Sequence, residues 1–182
     1  EAPDLRLANL LQLGHNMSVD LYVEQVISRT RLVILRVLGG ERYWPYGVEE
    51  VATCCRRNGI ALAAVPGDDK PDETLMRHST LPREAVERIW SYFVQGGIDN
   101  ATELLRYARS LMGAELPWRE PAPLMRAALY WPDLAQPGLA ELRARWKPGR
   151  PVAAVVFYRA LVQAGNLRVV DGLIDALAAR GI

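Results

Sequence analysis

The sequence predicts an α/β fold built on a parallel sheet. Three observations carry that expectation. Apolar, β-branched runs of strand length recur along the chain, at Leu32-Val33-Ile34-Leu35, Ile60 to Val65 and Val152-Ala153-Ala154-Val155-Val156-Phe157. Apolar stripes with helical spacing alternate with them. Two of the runs are broken by Gly or Pro and then crowd rings or carboxylates into a few residues. These are Leu38-Gly39-Gly40-Glu41-Arg42-Tyr43-Trp44-Pro45-Tyr46-Gly47 and Val65-Pro66-Gly67-Asp68-Asp69-Lys70-Pro71-Asp72. In a parallel sheet such places are the carboxyl ends of strands, where ligands collect.

Taken in order, Leu5 to Leu13 reads as a first strand. Ser18 is placed to cap the helix that follows, and Asp20 suits its positive end. Val19, Tyr22, Val23, Val26 and Ile27 form one buried stripe of that helix. Leu32 to Leu35, apolar on both faces, is an interior parallel strand. Pro45 fits the first turn of a second helix, where a missing N–H costs nothing. Val48, Val51, Ala52 and Cys55 make its inner face, and Asn58-Gly59 ends it. Ile60 to Val65 completes a βαβαβ unit with right-handed crossovers, flavodoxin- or Rossmann-like in architecture.

A helical pair follows. Pro82 starts one helix, with Val86, Ile89, Trp90 and Phe93 inward and Gly96-Gly97 at its end. Asn100 and Glu103 have capping-box spacing for the other. Its stripe is Ala101, Leu104, Leu105, Ala108, Leu111 and Met112. Pro117, Pro121 and Pro123 make residues 114–123 an extended connector. Leu124 to Trp131 is a fourth strand candidate, and Leu139 to Trp146 holds a short helix. Val152 to Phe157 is the clearest strand of all, followed by a helix lined by Val170, Leu173, Ile174 and Leu177. The expected division is 1–113 for the first unit with its helical pair, 114–150 for the connector, and 151–182 for the opening strand and helix of a second α/β unit. Gly181 reads as the residue just past a helix, with Ile182 starting another strand, so the chain reads as a fragment of a longer one.

Composition bounds the function. The 182 residues are half hydrophobic, enough for one or two real cores. The 22 basic and 21 acidic residues leave a net charge of +1, without the basic stripe of a nucleic-acid binder. No run is long and apolar enough to span a bilayer. The two cysteines, Cys54 and Cys55, are adjacent, which points to a reducing, cytoplasmic setting and a packing role. There is no phosphate-cradling G-x-x-x-x-G-K-[ST], no G-x-G-x-x-G after a strand, no H-E-x-x-H and no G-x-S-x-G. A self-contained hydrolase or dehydrogenase is not indicated.

Candidate binding residues follow from the strand ends. On a parallel sheet His15, the rings Tyr43 and Trp44, the carboxylates Asp68 and Asp69, and the pair Tyr158-Arg159 share one edge. Rings there would stack on a flat ligand, and Arg159 would fork onto a carboxylate. Each residue also has a structural reading. His15 and His78 suit turns or helix starts. Tyr43, Trp44 and Tyr46 would close the core over the sheet end. Asp68 and Asp69 would cap a turn, with Lys70 in solvent.

The order of short blocks along the chain adds a resemblance. Leu7-Ala8-Asn9-Leu10-Leu11-Gln12-Leu13-Gly14-His15 with Met17-Ser18-Val19-Asp20, the two strand-end strings, Ser79-Thr80-Leu81-Pro82, Gly96-Gly97 before Asn100-Ala101, and Gly149-Arg150-Pro151-Val152 before Phe157-Tyr158-Arg159-Ala160-Leu161 carry it. Together they resemble the cobaltochelatase/magnesium chelatase large-subunit family, and within it the N-terminal region of the aerobic, ATP-dependent cobaltochelatase. The resemblance implies a part of a large, tetrapyrrole-binding subunit. Such a subunit inserts Co2+ into hydrogenobyrinic acid a,c-diamide during cobalamin biosynthesis. It works with two smaller subunits, one an AAA+ ATPase, on which ATP and Mg2+ would be bound. No cofactor is expected on this fragment, no family motif assigns it a catalytic residue or metal ligand, and alone it is expected to be inactive. Two other readings stay open: a scaffold or docking module of the same subunit, or the equivalent region of a magnesium chelatase. An independent small-molecule sensor is the reading from another class.

Overall fold

Two parallel strands anchor the architecture. The computed structural model describes residues 5–134 and 136–182. Strand β1, Leu32–Val37, pairs with β2, Ala61–Pro66, in a register running from Leu32 opposite Ala61 to Val37 opposite Pro66. Helix α2, Pro45–Asn58, makes the crossover, with Pro45 in its first turn as expected. The α/β class is therefore found, on a smaller sheet than the sequence suggests.

Side chains alternate across the sheet, so each strand feeds two cores. Val33, Leu35, Val37, Leu62 and Ala64 point to one face, where they pack with Val48, Val51, Ala52 and Cys55 of α2. Helix α1, Asn16–Gln25, adds Tyr22 and Val23 to the same face, and Ile27 joins from a 3-10 turn, Ile27–Arg29. Ala63 and Val65 point the other way. There they meet the helical pair α4, Arg83–Gln95, and α5, Ile98–Leu111, through Val86, Ile89, Tyr92, Leu104 and Tyr107. A short helix α3, Glu73–Met76, precedes the pair, capped by Asp72, whose Oδ1 accepts from Leu75 N at 3.0 Å.

The segment after α3 closes the outer edge of β2. Thr80 Oγ1 accepts from Leu62 N at 2.7 Å and donates to Ile60 O at 2.9 Å. Ser79 Oγ accepts from Ala64 N at 2.9 Å. Thr80 N and Leu81 N donate back to Leu62 O at 3.0 and 3.2 Å. Hydroxyls and a bend thus stand in for a neighbouring strand, satisfying amides that burial would otherwise leave costly.

A buried polar network ties residues 118–122 to the helical pair. Asn100 and Glu103 are not the cap that their spacing suggests. Helix α5 starts two residues earlier, at Ile98, so both fall inside it and face the connector. Asn100 pairs reciprocally with the Ala122 backbone, at 2.9 Å in each direction. Glu103 accepts from Arg119, and Tyr92 OH donates to Arg119 O. Arg88 lies over the rings of Tyr107 and Trp118 and reaches Glu120 at 2.9 Å.

Three expected strands do not form among the described residues. Leu5 to Leu13 holds a 3-10 turn at Leu10–Gln12, capped by Asn9, and leaves Leu5 and Leu7 56% and 86% exposed. Leu124 to Trp131 makes only an isolated antiparallel bridge between Trp131 and Leu134. Val152 to Phe157 makes no backbone ladder, and Val156 is 92% exposed. Alternating or β-branched apolar residues signal that a run suits a sheet, but a strand exists only where another chain segment pairs with it. The βαβαβ unit is accordingly a β1–α2–β2 unit preceded by α1.

The chain divides into two units. One comprises residues up to 95 with 100–122; the other comprises 96–99 with 123–182. The second holds α6, Leu139–Arg143, shorter than the expected 139–146, then α7, Arg159–Gln163, and α8, Arg168–Ala179. Within it Tyr130 OH donates to Asp171 at 2.7 Å, and its ring meets Phe157 edge-on at 5.8 Å. Gly97 N donates to Gln163 O at 2.7 Å.

Candidate functional site

The carboxyl ends of β1 and β2 lie side by side, and the loops that leave them build a rim. After β1 comes a 3-10 turn, Glu41–Tyr43, then Trp44 and the start of α2. After β2 comes the turn 67–70 and then Asp72. Gly67 packs against the β1 loop so closely that a Cβ there would fall 2.5 Å from Leu38 Cα. Gly40 has φ +74°, and a Cβ on it would strike the Asp72 carboxylate. Two glycines thus let the two loops touch. An open depression of about 360 Å³ remains between them, lined by Gly39, Gly40, Asp68, Lys70, Asp72 and Glu73.

The rim is tightly braced from within. Arg36 donates to Gly67 O at 2.6 Å and lies 5.0 Å from the centre of the Phe93 ring. Burial lowers its pKa below the ordinary arginine value, against the opposing pull of Asp68. Trp90 Nε1 donates to Asp68 O at 2.9 Å. Asp68 Oδ1 accepts from Lys70 N at 3.1 Å, the turn-capping geometry expected for an Asx residue. Asp69 is exposed beside it.

The aromatic residues divide between two roles. Trp44 is half-buried against the core of α1 and α2, its Nε1 donating to Leu13 O at 2.9 Å. Tyr43 stays 59% exposed and leans on Gly39. Tyr46 donates to Asp20 Oδ1 at 2.6 Å, and that bond, ahead of burial, pushes its pKa up to about 12. His15 is exposed at the start of α1, where its carbonyl, not its ring, accepts from Ser18 N and Val19 N. The Trp44–Leu13 bond holds the residues just before His15 to this rim.

The structure therefore brings His15, Tyr43, Trp44, Asp68 and Asp69 to the same end of one sheet. Tyr158 and Arg159 belong to the other unit and follow a coil, not a strand. Tyr158 is 87% exposed, and Arg159 donates to Leu124 O at 3.0 Å and Met125 O at 3.1 Å. The single shared edge that joins all seven in the sequence reading rested on a strand at 152–157, which is absent among the described residues.

One rim residue that the sequence reading placed only at a helix start is His78. Its Nε2 lies 3.3 Å from Glu41 and its Nδ1 3.8 Å from Glu49, so it bridges the β1 loop and α2. Its partners sit about 30 to 40 residues upstream, beyond any spacing motif. Among the described residues no three His, Cys, Asp or Glu side chains are grouped to hold a metal ion. No helix among them is long and apolar enough to cross a membrane.

Comparison with known proteins places the chain in a family. Residues 90–182 match the model of the CobN/Magnesium Chelatase family. The chain belongs to the CobN/magnesium chelatase family. It is 45% identical over 181 residues to the aerobic cobaltochelatase subunit CobN of Pseudomonas aeruginosa, covering 99% of this chain and 14% of that protein. It is 41% identical to the same subunit from a Sinorhizobium species, covering 98% of the chain and 15% of the relative. Its fold matches the catalytic subunit of cobaltochelatase from Mycobacterium tuberculosis with a TM-score of 0.65 and 25% identity, over 89% of this chain and 13% of that one. The chain thus spans about one seventh of the length of these CobN relatives.

Proposed function

We propose that the chain is part of the large subunit of an aerobic cobaltochelatase. The observation that carries this reading is 45% identity to a cobaltochelatase subunit over nearly the whole chain. In this reading the complete subunit binds hydrogenobyrinic acid a,c-diamide and inserts Co2+, the substrate metal, in the cytoplasm. Two smaller subunits, one an AAA+ ATPase, supply ATP hydrolysis with Mg2+. The reading places the binding of ATP on a partner subunit. Insertion requires the ion to shed water and the ring N–H groups to lose protons. Those tasks are assigned to no residue of this chain.

The test uses the full-length subunit with its partners. Cobalt insertion into the corrin precursor, followed by absorbance, is expected only with ATP and both partners present. Insertion of Mg2+ into a porphyrin, with no turnover of the corrin, would overturn the reading in favour of a magnesium chelatase.

Within that activity, we assign the rim of His15, Tyr43, Trp44, Asp68 and Asp69, together with Tyr158 and Arg159, to substrate contact. A second reading, docking against other parts of the subunit, is favoured by one observation: the Trp44 indole N–H and the Arg159 Nε and Nη2 already donate to backbone carbonyls. Trp44→Ala and Arg159→Ala in the full-length subunit separate the two. Weaker tetrapyrrole binding by the folded variants supports substrate contact, and unchanged affinity refutes it in favour of docking.

A further inference from the structure

Strand β1 is bonded on one side only. In a parallel ladder alternate residues face the partner strand. Arg31 O and Val37 O face β2, accepting from Ala61 N at 3.2 Å and Gly67 N at 2.9 Å. The intervening amides of Leu32, Ile34 and Arg36 therefore face the opposite edge. Among the described residues nothing bonds those three amides. The contrast with β2 is sharp, since its outer edge is closed by Ser79, Thr80 and Leu81. A bare, apolar edge is a template for another strand. Sheets of only two strands, with both faces covered, fall short of the size that usually stands alone.

Handedness says which segment belongs there. Helices α1 and α2 pack on the same face, against Val33, Leu35, Val37, Leu62 and Ala64. Crossovers between parallel strands are right-handed in about 98% of cases. With α2 on that face, the chain steps from β1 to β2 in one direction. A strand leading into α1, on the same face and with the same hand, must step in that direction too. It therefore lies beside β1, on the side away from β2. The residues entering α1 are already where such a connection would run, because Trp44 holds Leu13 O at the carboxyl rim of the sheet. The chain spans only 13–15% of its CobN relatives, so a complete subunit of that kind holds polypeptide outside it.

We propose that the polypeptide preceding Leu10 supplies a third parallel strand to the Leu32/Ile34/Arg36 edge of β1. The order becomes added strand, β1, β2. This moves the strand expected at Leu5 to Leu13 upstream and turns Leu10 to His15 into its βα loop. The docking site is thus the β1 edge, and its occupant is the subunit's own chain.

Amide-resolved hydrogen exchange on the full-length subunit tests this. The Leu32, Ile34 and Arg36 amides are expected to exchange on the order of 100-fold more slowly than in the 182-residue chain, as for a central strand. Removing all residues before Leu10 from the full-length subunit should restore fast exchange there. The Leu62 and Ala64 amides, held by hydroxyls, should stay slow and so report that the unit is still folded. Four results would overturn the proposal: fast exchange of the β1 amides in the intact subunit, protection that survives the truncation, protection that appears only with partner subunits, or protection of the 182-residue chain that grows with its concentration through self-pairing. If the truncation also loosens Leu62 and Ala64, the strand order in a cryo-EM structure of the intact subunit decides, and β1 as an edge strand there refutes the idea.

Discussion

The Glu103 carboxylate, 4% exposed, grips Arg119 three times, accepting its backbone N–H at 3.0 Å and its guanidinium Nη2 and Nε at 2.9 and 3.2 Å. Arg106 adds a fourth donor at 2.9 Å. The backbone bond, ahead of the side-chain one, holds the Glu103 pKa below the ordinary glutamate value. A depressed carboxyl stabilises the fold above its unfolded pKa of about 4.3 and loses that contribution as pH falls through the folded value. Glu103→Gln keeps the shape but removes the charge. The variant should unfold at lower urea than the parent at pH 7, and the gap should close below about pH 4. Urea midpoints measured across that range check it. A gap that is constant with pH would mean that the charge is irrelevant to the network.

Thr80 holds the edge of β2 through two hydrogen bonds, to Leu62 N and Ile60 O. Thr80→Val preserves volume and leaves the amide of fully buried Leu62 without its acceptor. The expected loss is about 1–3 kcal/mol, the usual cost of orphaning a buried backbone group. Ser79→Ala, which gives up the bond to Ala64 N, should cost about 1 kcal/mol. Urea unfolding gives both values, and faster exchange of the Leu62 amide in Thr80→Val would localise the damage.

What the sequence conveyed about this fold follows from the range of the interactions. β1, α2 and β2 were legible because their apolar patterns, Pro45 and Asn58-Gly59 are local signals joined by short connections. The helical pair was legible for the same reason, since Val86 and Ile89, or Leu104 and Ala108, repeat at helical spacing. Val152 to Phe157 has the composition of a strand, but pairing depends on a partner that composition does not specify. Asn100 and Glu103 show the same limit. Their three-residue spacing fits a cap, yet the Ala122 and Arg119 backbones outcompete that local use.

The candidate site was legible in part. The string from Gly39 to Gly47 and the one from Pro66 to Asp72 do meet at one sheet end, as parallel strands require. The roles of individual residues were less visible. Trp44 spends its N–H on Leu13, 31 residues away, and His78 reaches Glu41 and Glu49 across a helix. Ser79-Thr80-Leu81-Pro82 stood out as a motif, but its purpose needs the position of β2. Arg159 was expected free at a strand end and instead binds two carbonyls of its own unit.

The two cysteines make a chemical test of the first core. Cys54 and Cys55 are 5% and 0% exposed, and burial, with the neighbouring Cys54 adding to it, pushes the Cys55 thiol up to about 12. The thiolate is the reactive species, so Cys55 should be inert near neutrality. Iodoacetamide at pH 8 should leave both unlabelled in the native chain and modify both in concentrated urea. Mass spectrometry reads the result. Rapid native labelling of Cys55 would show that α2 opens readily from the sheet.

Trp44 is the test of whether the rim is held together by one side chain. Its indole N–H ties the start of α1 to the start of α2, and its ring lies against Gly47, where a Cβ would collide with it. Trp44→Phe keeps an aromatic in the core contact but deletes the bond to Leu13 O, at an expected cost of about 1 kcal/mol. Trp44→Ala also empties the contact and should cost about 2–4 kcal/mol, less than a fully buried tryptophan because the ring is only partly covered. The two variants separate bond from bulk. If the hydrogen bond is what fixes Leu10 to His15, Trp44→Phe should already speed proteolysis within that segment while leaving α4 and α5 resistant. Cleavage that rises only in Trp44→Ala would instead assign the anchoring to the packing of the ring.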